Sequence, residues 1–298
     1  MSTVLEVAIT QPRPLAFRLP AVAIFALGYV GLVLFGQWLS LNPGHSSTVV
    51  LTSGLYMAVL LSSESKTWLK WAATVFVTEC LIVTGLFNES AVEALSDAAS
   101  HTAGAYAGAH LIRLWHGLPF QINTLRDVVV FSVGTALLGP AVSMGVHFLL
   151  ASATGHHFSG LDWLSYWTGD AAGAVVLAPL LLALRQHASA WRNVTLLKWM
   201  EAATLYSALA MVLHILFTLK LPTMYLALPL VLWAAVRLGM LGTTLFMFLL
   251  MLFMVRYNAL GLGPYGVLTM GRLLMVQSFL VVTGVRSEEH TSELQSRF

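Results

Sequence analysis

The sequence predicts an all-α fold: a polytopic transmembrane helix bundle of about eight to ten spans, with the N-terminus and the C-terminus both cytoplasmic. Three observations carry this reading. The chain is 58% hydrophobic and only 9% charged, whereas a soluble domain carries roughly 25% charged residues. Apolar runs near the length needed to cross a bilayer, about 20 residues, recur along the chain. Lysine and arginine fall in alternate connections between those runs. A soluble fold of this size could not hide so much apolar surface.

The runs fall near 20–39, 48–62, 70–87, 98–114, 127–151, 164–184, 199–219, 222–236, 241–257 and 267–285. The first follows Arg13 and Arg18 and resembles the charged and apolar parts of a signal peptide. It is long, lacks a small-x-small cleavage site and is followed by further spans, so it reads as a retained helix. The second and eighth runs are short, and the fourth is rich in Ala, Gly and His. Eight spans with two re-entrant or interfacial segments fit nearly as well as ten. Segments 1–19, 20–285 and 286–298 read as a cytoplasmic N-terminal stretch, the membrane domain and a tail of different character.

Charge placement supports an even number of spans. With the N-terminus inside, the cytoplasmic segments hold Arg13, Arg18, Lys66, Lys70, Arg113, Arg126, Arg185, Arg192, Lys198 and Arg237. The outer segments hold Lys220 and Arg256, with Arg272 near the start of the last helix. The remaining outer loops, Leu41 to His45, the acidic stretch Glu89 to Asp97, and Gly155 to Asp162, contain neither Lys nor Arg. The positive-inside rule then puts both termini in the cytoplasm, and an odd number of spans would destroy the pattern.

Within the runs, Gly104-x-x-x-Gly108 and Gly169-x-x-x-Gly173 have the spacing that lets helix backbones approach closely in lipid. Packing inside one bundle is the favoured use, a dimer face the alternative. Trp38, Trp68, Trp71, Trp115, Trp163, Trp167, Trp191 and Trp199 lie near predicted helix ends, as an interfacial aromatic belt requires. The one cysteine, Cys80, makes no intrachain disulfide and reads as apolar packing. The formal charge of +2 and the absence of a Lys/Arg run give no sign of nucleic-acid binding.

After Val285 the chain turns polar and loses apolar periodicity, in Arg286-Ser287-Glu288-Glu289-His290-Thr291-Ser292-Glu293-Leu294-Gln295-Ser296. This string resembles the conceptual translation of a sequencing-library adapter. On that reading residues 286–298 are not native, and the gene continues past the break.

Ionisable groups inside a membrane cost roughly 2.5–3.5 kcal/mol or more at mid-bilayer and are the natural functional candidates. Glu79 lies in the middle of the third run and needs a partner or a proton, with His101, His110 or Arg272 in reach as partners. It serves either as a proton or ligand site or as a structural interhelical hydrogen bond. Asp170 follows Trp167-Thr168-Gly169 near the outer end of the sixth run, with Gly173 and Ala178-Pro179 beyond it. A carboxylate beside glycine can meet a neighbouring backbone, and Pro179 can free a carbonyl and kink its helix. An N-cap role for Asp170 is weakened by the apolar residues that precede it. His156 and His157 sit in a loop with Asp162, but adjacent histidines rarely share a metal, and no metal site or cofactor is expected. His147 reads as a satisfied buried histidine. The chain lacks a Gly-x-Ser-x-Gly elbow, a phosphate loop, His-Glu-x-x-His and Cys-x-x-Cys, so no catalytic residue is assigned.

Several of these residues stand in an order that resembles the MASE1 family, a bacterial membrane-associated sensory domain. They are Trp167-Thr168-Gly169-Asp170-Ala171-Ala172-Gly173 with Ala178-Pro179-Leu180, then Leu228-Pro229-Leu230 with Trp233-Ala234-Ala235-Val236-Arg237-Leu238-Gly239, then Gly263-Pro264-Tyr265 and Gln277-Ser278-Phe279-Leu280. Arg126-Asp127 at the start of the fifth run also fits, and the similarity spans roughly residues 20–285. The family's Trp-x-Pro-x-Gly-like stretch before the second helix is missing; Ser46-Ser47-Thr48 and Ser53-Gly54-Leu55 stand there instead. The resemblance implies an input module in the bacterial inner membrane, placed ahead of a histidine kinase, PAS or cyclic-di-GMP output. Its partners would be membrane lipid, an unidentified small-molecule or membrane stimulus and, by analogy, a second copy in a homodimer. It implies interior or ligand-contacting roles for Asp170, Arg237 and Gln277; Trp167, Glu79 and Arg272 complete the candidate set. A small transporter or permease is the alternative, and internal repeat symmetry, which would favour it, is not evident between residues 20–150 and 150–285.

Overall fold

The computed structural model describes residues 14–40, 48–118, 120–153, 159–186, 196–219, 224–261, 274 and 276–285. The described chain is helical, and the expected runs fall on its helices, with those near 222–236 and 241–257 meeting in one helix and the last described from Val276. The helices are α1 (Leu19–Ser40), α2 (Leu51–Ser62), α3 (Trp68–Gly85), α4 (Ala91–His116), α5 (Leu125–Ser132), α6 (Gly139–Ala153), α7 (Gly160–Gln186), α8 (Leu196–Thr218), α9 (Leu228–Ala259) and α10 (Val276–Val285). A π-helical stretch, Val133–Leu138, joins α5 to α6 without a break, so the two form one span. Among the described residues, six helical stretches are long and apolar enough to cross a membrane.

Local chemistry sets several of these boundaries. Ser90 and Glu93 form a reciprocal capping box at the start of α4, and Thr124 and Asp127 do the same for α5. Each box satisfies amides that the first helical turn leaves without partners. The Ser90 box corrects the expectation of an acidic outer loop: residues 91–97 are the opening turns of α4. Ser159 and Asp162 exchange hydrogen bonds at the start of α7, so Asp162 belongs to a helix rather than a loop. Asp170 therefore lies well inside α7 and is not an N-cap, and α7 continues through Pro179.

The small-residue faces pack within the bundle. A Cβ on Gly108 would stand 2.4 Å from the Gly134 carbonyl oxygen, and one on Gly104 would stand 2.7 Å from that of Gly139. The face of α4 thus docks on the π stretch and α6, leaving no room for a dimer partner there. Likewise a Cβ on Gly173 would meet the Val50 carbonyl oxygen at 1.9 Å, and one on Gly54 the Gly173 carbonyl oxygen at 2.5 Å. Helices α2 and α7 are in backbone contact, as small residues permit in lipid.

The aromatic belt requires a correction. Trp68 and Trp71 are fully buried, at 1% and 0% exposure. Trp68 donates its indole N–H to the Leu60 carbonyl at 2.8 Å, and Trp71 packs edge-on against Phe17 and Phe25. These two pack the core, whereas Trp38, Trp115, Trp163 and Trp199 keep large exposed faces.

Helix α9 is broken at Gly239, whose φ of 65° and ψ of −169° belong to a region open essentially to glycine alone. Contacts with α8 show what the break does. Arg237 pairs with Glu201. Tyr206 donates to the Gly242 carbonyl at 3.1 Å and stacks on Phe246. Phe217 meets Tyr257 at 4.9 Å between ring centroids. Residues 240–259 therefore run alongside α8 in the same direction, and residues 228–238 return the chain against it. The break is a hairpin corner.

With that corner counted, the helical segments alternate in direction. One end of the bundle gathers Leu15, Phe17, Ser62, Lys70, Arg113, Trp115, Phe120, Arg126, Arg185 and Gln186. Leu15 N–H and Arg185 Nη1 both donate to the Ser62 carbonyl, at 2.8 and 3.0 Å. Gln186 reaches the Phe120 carbonyl, and Arg126 that of Trp115. Lys70 lies over Phe17 and Arg113 over Trp68. At the opposite end Arg256 donates to the Trp38 carbonyl at 2.7 Å and covers its ring. Basic residues thus concentrate at one end, as the loop pattern predicted, the distribution that the positive-inside rule associates with a cytoplasmic face.

Arg13, Trp191, Arg192, Lys220, Arg272, His156, His157, the Leu41 to His45 loop, Gly263-Pro264-Tyr265 and the tail 286–298 lie outside the described residues.

Candidate functional site

Helix α2 has 12 residues and is about 18 Å long, too short to cross a hydrocarbon core of about 30 Å. Its C-terminal residue Ser62 sits at the basic end. Its N-terminus therefore opens inside the bundle, near mid-membrane depth. There the Val50 N–H donates to the Gly169 carbonyl at 3.1 Å. The helix N-terminus carries a partial positive charge of about half an elementary unit.

Asp170 answers that charge. It is 8% exposed, and its Oδ1 accepts a hydrogen bond from the hydroxyl of Ser53, the third residue of α2. The small residues Gly54, Gly169 and Gly173 make this possible by letting α2 and α7 touch backbone to backbone.

A second polar pair lies beside it. Glu79 of α3 is 6% exposed, and its Oε1 lies 3.1 Å from Nδ1 of His101 on α4. Of the three partners considered from sequence, His101 is the one in place; His110 is exposed, and Arg272 is outside the described residues. The other carboxylate oxygen, Oε2, is buried and makes no close hydrogen bond among the described residues. Tyr29 of α1, 1% exposed, turns its hydroxyl toward Glu79 and toward Thr52 of α2. Asp170 and Asp97 both act electrostatically on His101, so the two pairs form one network. Asp97 continues it along α4 to His147 of α6, at 3.3 Å.

A third cluster ties the last helix to this region. Thr168 Oγ1 donates to Oε1 of Gln277 at 2.6 Å, and Nε2 of Gln277 donates to the Thr48 carbonyl at 2.6 Å. Gln277 is 1% exposed and bridges α7 to the strand of chain that leads into α2. Seven residues further along both helices, Gly284 of α10 lies against Val175 of α7. Thus α10 runs in the same direction as α7 and leaves toward the basic end.

The structure therefore brings Glu79, Asp170 and Gln277 into one region and leaves two other candidates outside it. Trp167 donates its indole N–H to the Ala136 carbonyl at 2.9 Å, holding α7 to the π stretch. Arg237 is not interior: its side chain is 57% exposed, and it pairs with Glu201 at the hairpin corner. Sequence reasoning did not single out Tyr29, Thr52, Ser53 or Thr168 for the network. Each is an ordinary residue in an apolar helix, and Ser53 lies 117 positions from its partner. Ser53-Gly54 stood out only as a departure from a family pattern.

Chemically, a carboxyl group against an imidazole in low dielectric can hold a proton and pass it between oxygen and nitrogen. The hydroxyls of Tyr29 and Ser53 can follow that movement as donors or acceptors.

Among known families, the MASE1 model matches residues 19–287 of the chain. No curated protein and no solved structure matches it.

Proposed function

Because the chain belongs to the MASE1 family, whose members are membrane-associated sensory rather than catalytic domains of signalling proteins, we propose that it is the input half of a bacterial receptor in the inner membrane. Its output, a histidine kinase or a cyclic-di-GMP enzyme, would follow α10 in the cytoplasm. The observation that carries this reading is the Gln277 bridge. One side chain on the exit helix holds both Thr168, two residues from Asp170, and Thr48, just ahead of α2. Any stimulus that favours one arrangement of α2 against α7 shifts the population of α10 positions by its differential affinity for the two arrangements. The packing of Gly284 on Val175 extends that hold toward the basic end.

The test joins the chain at Val285 to a cytoplasmic cyclase or kinase reporter. Gln277→Ala and Thr168→Val are expected to change basal output at least about threefold while the protein stays folded, since a coupling of about 1 kcal/mol is roughly fivefold. Output indifferent to both changes overturns the reading.

The half-length α2, with its N-terminus facing a carboxylate inside the membrane, favours a second reading as a small transporter, where broken helices build such sites. Saturable substrate uptake into vesicles by this bundle alone would put that reading first.

A further inference from the structure

We propose that the Glu79–His101 pair, with Asp170 on one side and Asp97–His147 on the other, is a proton-binding site loaded from the outer face. This names the stimulus for the sensory reading and rests on it for its signalling consequence; proton binding itself stands on the geometry alone.

The argument begins with charge. The network holds the carboxyl groups of Asp97, Glu79 and Asp170 and the imidazoles of His101 and His147. If both imidazoles are protonated and all three carboxyls ionised, one negative charge remains uncompensated among the described residues of the network. Such a charge is expensive in low dielectric. The N-terminus of α2 and the Ser53 hydroxyl serve Asp170, and His147 serves Asp97. Among the described residues Glu79 has His101, shared electrostatically with both of the other carboxyls, and the neutral Tyr29 hydroxyl. Its Oε2 is buried without a close partner among the described residues. That oxygen is where the compensating proton belongs.

Size points the same way. Helices α2 and α7 are in backbone contact beside Asp170, with a Cβ on Gly173 excluded at 1.9 Å from Val50. A proton needs no cavity there.

The surroundings contain no competing cation among the described residues. Facing the pair are Tyr29 from α1, Thr52 and Ser53 from α2, and Asp170 from α7. On α3 the neighbouring Cys80 thiol is turned to the Ala94 carbonyl at 3.8 Å. On α6 His147 meets Asp97 and lies against Tyr166 of α7, which also feels Asp97 and Asp162. His110, on the same helix as His101, is exposed. The route from outside follows burial: Asp97 and His101 are 28% and 26% exposed as side chains and Glu79 is 8%. Asp97 lies one turn of α4 before His101 on the same face, toward the outer end. Protonating Oε2 removes the charge that holds His101 as a cation and frees the α3–α4 contact to shift.

The experiment is infrared difference spectroscopy of the full chain in lipid nanodiscs, stepping from about pH 8 to about pH 5. A protonated-carboxyl band is expected to rise, to move when glutamate is labelled with carbon-13, and to vanish in Glu79→Gln. In His101→Gln its midpoint should move by about one unit or more, a tenfold change in proton affinity. In vesicles of one orientation, external acid should fill the band and Asp97→Asn should slow filling. If Glu79→Gln fails to fold, the carbon-13 shift of the wild-type band, with slow exchange in heavy water, identifies a buried glutamic acid without any substitution. A spectrum without a titrating glutamate band overturns the proposal, and filling from the inner side overturns the route. Neither result touches the reporter test above. An unresponsive reporter beside a titrating band would leave the proton site standing and remove its signalling role.

Discussion

At the residue scale, burial separates the charged candidates. His101→Ala would leave Glu79 buried without its cation, and removing one partner of a buried pair typically costs about 3–5 kcal/mol. Arg237 and Glu201 also form an ion pair, but the arginine is more than half exposed. Arg237→Ala is expected to leave stability unchanged within error, whereas His101→Ala lowers it by about 3 kcal/mol; unfolding in mixed micelles measures both. Equal losses would mean that the network is not the better buried of the two. Glycines make a second contrast. Gly173→Ala forces a methyl into the Val50 backbone, while a Cβ on Gly145 meets nothing within 4 Å. Gly173→Ala should cost about 3 kcal/mol or prevent folding, as overpacking against rigid backbone does. Gly145→Ala should be neutral or stabilising by about 0.5 kcal/mol. The cost of an intramembrane charge made Glu79 and Asp170 legible from sequence. Which hydroxyls they meet was not, because hydroxyls in apolar helices are common and contacts such as Ser53 to Asp170 join distant segments.

At the element scale, the weak runs of the sequence proved to be the informative ones. The second run is short because α2 is a half-length helix that begins inside the bundle. The fourth is rich in Ala and Gly because α4 docks closely on the π stretch and α6. The eighth and ninth are separate because Gly239 turns the chain between them. Period and length revealed each element, but not that α2 starts beside Asp170, since that depends on what α7 offers as a partner. The Gly239 corner is open to test. Gly239→Ala places a Cβ where φ is positive and is expected to destabilise by about 1–3 kcal/mol. Cysteine pairs at positions 206 and 246, and at 217 and 257, should cross-link in a background without Cys80. Both pairs lie beyond Gly239, so the double result tests whether residues 240–259, the second arm of the hairpin, run alongside α8 in its own direction. The α2 N-terminus makes Asp170→Asn informative: the amide cannot answer the helix charge, and loss of stability is expected to exceed that of Asp162→Asn at the exposed start of α7.

At the scale of the whole molecule, the loop charges and the contacts reach the same topology by separate routes. Charge counting placed the segments holding Arg13 and Arg18, Lys66 and Lys70, Arg113 and Arg126, Arg185, Arg192 and Lys198, and Arg237 on one side. The packing brings Leu15, Lys70, Arg113, Arg126 and Arg185 to one end through their own hydrogen bonds and ring contacts. Counting α9 as a hairpin and α2 as a helix that starts at depth, both ends of the domain come to that end. This parity is what the proposed sensory role requires, because an output domain can receive a signal only from a helix that emerges on its side of the membrane. Reporter fusions test it directly. A cytoplasmic reporter fused after residue 62, 118, 186, 238 or 285 should be active, and a periplasmic one should be active after 88, 159 or 260. A periplasmic signal after 285 would remove the sensory reading at its root, since α10 would then point away from any cytoplasmic output. A cytoplasmic signal there leaves the sensory reading standing, and Gln277 becomes the first residue whose substitution should change the activity of a reporter fused at Val285 without touching it.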